Sequence, residues 1–78
     1  MKKNRYLGQA KGNRFCIKGI NVLDCKWQNI GKVAIVTDVK TDRQVTVSGY
    51  KAVTGNSEVS FLARQDENGV WSFYDIDE

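Results

Sequence analysis

The sequence predicts a mainly β domain: a small antiparallel meander of four to five strands, curled as a sheet or barrel. A short helix or an extra hairpin from residues 14–31 packs on it. Three observations carry this reading. Residues 32–76 break into four runs of strand composition, KVAIVTDV, QVTVSGYKAV, SEVSFLARQ and VWSFYDI. Short polar links separate them, and one ends in Asn68-Gly69, the strongest short hairpin signal in the chain. Several runs carry apolar residues on both faces, so a bare sheet would leave one face wet and something must cover it. The alternative class is α+β.

With 78 residues, one domain is expected, its core limited because a chain of this size buries only about 60% of its unfolded surface. Residues 1–13 are basic and aperiodic and read as a flexible arm or an edge strand. In 14–31, Phe15 and Ile17 alternate like a strand, and Lys18-Gly19 can turn the chain. Two templates then compete. Ile20 and Val22 continue a hairpin. A helix would start at Asn21 as N-cap, with Asp24 in its first turn, and stop at Gly31. The aligned end signals favour the helix, anchored by Trp27.

The strands follow at 32–39, 44–53, 57–65 and 70–76, with Gly49 marking a bulge or bend inside the second. Adjacent strands with short links make a meander. The expected core is Phe15, Ile17, Leu23, Trp27, Val33, Ile35, Val45, Val47, Val59, Phe61, Trp71 and Phe73.

The chemistry is thin. There is no His, which removes the commonest general base and metal ligand. Cys16 and Cys25 alone do not complete a zinc site, and they read as reduced thiols in a cytoplasmic protein; a disulfide between them is the alternative. The carboxylates Asp38 with Asp42, Asp66 with Glu67, and Asp75 with Asp77 and Glu78 fall at turns or the terminus, where solvent keeps their pKa values ordinary. The start, MKKNR, lacks the apolar run of a secretory signal, and no window reaches the ~20 apolar residues of a membrane span. A non-enzymatic protein with no cofactor, no metal and no membrane partner is expected.

Charge is the most informative bulk feature. Residues 1–32 hold eight bases and one acid, a balance of +7; residues 33–78 hold four bases and eight acids, −4. In the basic half, cations interleave with aromatic rings, a pattern that binds single-stranded nucleic acid through phosphates and stacked bases. Arg5, Tyr6, Lys11, Arg14, Lys18 and Lys26 are the candidate nucleic-acid-binding residues. The competing expectation is a protein-binding adaptor or inhibitor, acting through an exposed sheet edge or an aromatic patch and able to form a homo-oligomer. Its candidate contacts are Tyr50, Leu62, Tyr74 and Ile76.

Overall fold

The computed structural model describes residues 4–76. Seven strands follow one another: β1 (Tyr6–Gln9), β2 (Cys16–Ile17), β3 (Ile20–Asn21), β4 (Lys26–Thr37), β5 (Gln44–Thr54), β6 (Ser57–Gln65) and β7 (Trp71–Tyr74). Five form one antiparallel sheet in the order β1-β7-β6-β5-β4, and β2 pairs with β3 in a separate small hairpin. The fold is mainly β, as the alternation predicts, and the basic arm supplies the edge strand β1.

The preferred helix in 14–31 is absent. Asn21 does cap, accepting the Leu23 N–H on its side-chain oxygen at 3.3 Å, but what it caps is one 3-10 turn over Val22–Asp24. Two competing bonds explain the stop. The Asn21 oxygen is shared with the Phe15 N–H at 3.0 Å, which ties it to the hairpin. The Val22 carbonyl, which a longer helix would need, accepts Trp27 Nε1 at 2.7 Å. From Lys26 the chain is already extended, so β4 starts six residues before the strand read from sequence.

Gly31 is therefore no helix cap. It lies in a bulge of β4, with φ 75°: Asn29 pairs with Tyr50 and Val33 with Ser48, so residues 30–32 stand opposite Gly49 alone. The bulge folds tightly over Gly49, where an added Cβ would lie 2.9 Å from Lys32 Cβ. The bend expected near Gly49 is thus made by its neighbour strand, and Gly49 is the floor beneath it.

Side chains on the sheet divide by parity. One face carries Ala52, Val59, Phe61, Ala63 and Phe73, covered by Val22, Phe15, Ile17, Ile20 and Leu23 from the front segment. Phe15 stacks on Phe73 with centroids 4.4 Å apart, and Trp27 lies within 6.0 Å of Tyr50, Phe61, Trp71 and Phe73. The other face carries Val36, Val47, Leu62 and Tyr74, flanked by Tyr6, Ala34, Val45 and Ile76. Two members of the expected core, Val33 and Ile35, are instead 65% exposed. They share the first face but lie beyond the reach of the front segment, while Ala34 and Val36 turn inward on the second.

The sheet curls. β1 and β4 are opposite edges, about 19 Å apart in a flat five-stranded sheet. Yet Asn4 and Tyr6 line a cleft with Ile35, Val36 and Thr37. The two edges face each other without pairing, so no barrel closes. No helix among the described residues is long and apolar enough to cross a membrane.

Candidate functional site

The residues proposed from charge are set on separate elements. Arg5 precedes β1 and accepts the Asp75 N–H on its carbonyl; Lys11 and Arg14 close one tight turn through reciprocal backbone bonds of 3.2 Å. Lys18, with φ 52°, occupies the β2–β3 turn, and Lys26 opens β4 opposite Val53. All five of these cations are exposed. The rings meant to stand between them are spent on packing. Tyr6 rests on Tyr74 at 5.3 Å, and Phe15 and Trp27 belong to the aromatic cluster. None of the two Trp, three Tyr and three Phe is fully exposed, and Tyr6, Phe15 and Trp27 are half-buried.

The four contacts proposed for a protein partner do not form a patch either. Leu62 and Tyr74 are 1% and 3% exposed, and Ile76 is half-buried beside them. Tyr50 sits on the opposite face in the Trp27 cluster. Burial raises the Tyr74 phenol above its ordinary value of 10.0, and the nearby Asp38 carboxylate adds to the rise.

Asp66 and Asp38 serve structure, and Asp77 and Glu78 lie outside the described residues. Asp66 Oδ1 accepts the Asn68 and Val70 N–H groups at 2.8 and 2.9 Å and so holds the β6–β7 turn. The Val70 bond is the chief cause of its lowered pKa. Asp38 Oδ1 accepts the Lys40 N–H at 2.9 Å, and its Oδ2 lies 3.7 Å from Arg64. These groups border an open groove of about 560 Å³, where Lys40, Arg43 and Arg64 stand among Asp38, Asp66 and Glu67. Cys16 and Cys25 are both free thiols; Cys25 donates its S–H to the Asn21 carbonyl. Among the described residues no three thiols or carboxylates gather into a metal-binding group.

What the structure does bring together is the outer half of β4. It is the edge of the sheet, paired with β5 alone. The Asp38 N–H bonds the Arg43 carbonyl at 2.7 Å, continuing the Thr37–Gln44 pairing. Antiparallel bonding alternates, so Ala34 and Val36 also direct their backbone groups at β5. Val33, Ile35 and Thr37 then direct their N–H and C=O groups away from the sheet. The side chains of the same three residues, with Gln44, Thr46 and Ser48 beside them, form an uncovered stretch of the first face that bears no charge. Val39 extends the apolar strip at 59% exposure.

Two clefts keep this edge open. One of about 240 Å³ lies between Lys32, Val33 and Ala34 on one side and Asn4 and Ile76 on the other. The second, about 430 Å³, separates Ile35–Thr37 from Asn4 and Tyr6. The sequence leads to an exposed sheet edge as a candidate surface but, with Val33 and Ile35 expected in the core, does not locate it on β4. The available signal was the VAIV run itself, apolar on both faces in a chain with only enough front segment to cover part of one. No family model, curated protein or solved structure matches this chain.

Proposed function

We propose that this chain is a non-enzymatic protein-interaction module. It takes an extended segment of a partner as an added strand along Val33–Thr37 of β4. The observation that carries the reading is the coincidence, on five residues, of outward backbone groups with an uncharged apolar surface at Val33 and Ile35. Main-chain bonds then supply affinity, and the side chains of alternate residues supply selectivity. A phosphate backbone would find no cation on this stretch, and a protein segment would find its complement. The two free thiols suit a reducing compartment, and we place the protein in the cytoplasm.

The test uses proline as a local blocker. Ile35→Pro removes an N–H that faces away from β5, so the ladder survives, whereas an added strand loses a bond and meets the ring. Binding to a library of extended peptides, followed by amide shifts in NMR spectra, should perturb residues 32–39 and vanish in Ile35→Pro. The reading fails if bound peptides perturb other surfaces, or if Ile35→Pro binds as well as the parent. The anionic-partner reading rests on the +7 balance of residues 1–32. It gains only if single-stranded DNA or RNA binds with steep salt dependence, survives Ile35→Pro and is lost in Lys11→Glu with Arg14→Glu.

A further inference from the structure

We infer that the segment β4 accepts is β4 of a second copy of this chain, paired antiparallel about a two-fold axis at Ile35. The inference rests on strand addition at this edge and names its occupant.

The register follows from two constraints. Within Val33–Thr37, Val33, Ile35 and Thr37 offer the outward backbone groups, so a symmetric pair along this stretch must set odd positions against odd positions. The axis therefore passes through a residue and not between two. Charge then chooses among the residues. An axis at Val36 sets Lys32 against Lys40 of the second copy, a like-charge pair. One at Ala34 sets Lys32 against Val36. An axis at Val33 draws the bulge at residues 30–32 into the ladder and shortens it. The axis at Ile35 sets Lys32 against the partner's Asp38, and symmetry repeats the pair.

In that register Ile35 meets Ile35, Val33 meets Thr37, and Ala34 meets Val36. The apolar strips of the two copies lie side by side on one continued face, where Ile35 packs laterally on Ile35 and Val33 on Thr37 of the second copy. Lys32 lies at the end of the bulge and Asp38 just past the strand, so the two flank the new ladder at its ends and attract across it by charge. Lys32 makes no ion pair among the described residues, so it is available. Asp38 keeps the Lys40 N–H on Oδ1 and Arg64 near Oδ2 while it attracts the partner's Lys32. A short ladder buries less than the ~1,200 Å² of a standard interface, so the dimer should be reversible and concentration-dependent.

Sedimentation of the whole chain from about 1 to 500 µM, bracketing the micromolar affinities expected of such contacts, reads the dimer directly. Lys32→Asp and Asp38→Lys should each raise the dissociation constant about ten-fold or more, because each replaces two attractive pairs by two repulsive ones. The double variant should recover most of the loss. A second measurement does not depend on Asp38. In a Cys16→Ser, Cys25→Ser background, a short bismaleimide should join Ile35→Cys copies across the axis. It should fail for Val33→Cys, whose two thiols would lie ~13 Å apart. A monomer at every concentration, or faster joining of Val33→Cys than Ile35→Cys, overturns the inference. If the monomer still binds heterologous peptides in a manner abolished by Ile35→Pro, strand addition stands and only the occupant is wrong. If neither binds, both fall.

Discussion

Before the bulge at residues 30–32, β4 sends Trp27 into a cluster with four other rings. After it, the same face of the same strand carries Val33 and Ile35 at 65% exposure. Apolarity does not separate the two halves. What separates them is the extent of the cover: the hairpin and 3-10 turn bring Val22 and Phe15 over the first half and end there. Burial on a sheet face is a property of what lies above it. A strand long enough to outrun its cover becomes a core element at one end and a surface at the other.

That comparison can be broken from the buried side first. Trp27→Ala should cost about 3–5 kcal/mol and leave the chain largely unfolded, read as loss of the cooperative thermal transition. Next comes the hinge between the halves. Gly49→Val drives side-chain atoms into Lys32 Cβ and Ile30 Cγ1, at 2.9 and 3.1 Å from the first added carbon, and should cost about 1–3 kcal/mol in urea unfolding. Gly31→Ala, where φ is 75°, should cost about 1–2 kcal/mol from backbone strain alone, since nothing stands near the added methyl.

A smaller effect sharpens the second face. The Tyr74 phenol is raised in the folded chain by burial and then by Asp38. Its contribution to stability is fully present below the ordinary value of 10.0 and is lost as pH rises through the raised folded value. Unfolding midpoints measured from pH 9 upward should fall less steeply for Tyr74→Phe than for the parent. Smallest of all, Ile35→Thr should change monomer stability by less than about 0.5 kcal/mol at low protein concentration, against the several lost at Trp27. A large effect at Ile35 would mean that the outer half is covered after all.

The meander was legible because its signals are local. Alternation set β5 and β6 nearly to the residue, and the polar links at 40–43 and 66–69 fell where the turns are. The region from Asn21 to Gly31 was not legible, because each of its helix signals is real but differently employed. Asn21 caps a single turn, and Gly31 takes a left-handed conformation inside a strand. The decisive contact, Trp27 Nε1 on the Val22 carbonyl, is tertiary in effect, since it requires the indole already to lie in the sheet's aromatic cluster. The surroundings of the candidate site residues were not legible for a related reason. Rings that alternate with cations in sequence can stack on bases only if they are left exposed, and Phe15, with Phe73 against its face, is not. Which side of the VAIV run turns inward depends on how far the front segment reaches, a length no local pattern encodes.

The pairing of β1 with β7 bears on how the chain comes into being. Tyr6 lies against Tyr74, and the Asn4 amide donates to the Asp75 carbonyl, 71 positions away in sequence. During synthesis β1 emerges well before β7, its neighbour in the sheet, and Phe15 likewise precedes Phe73. Loop-closure entropy is therefore met before the contacts of this pairing form, which makes it the non-local step of a fold whose other sheet pairings are local hairpins. Until β7 is made, the first face lacks Phe73 and the second lacks Tyr74, so the β4–β5–β6 meander pairs without the rings that complete both of its faces.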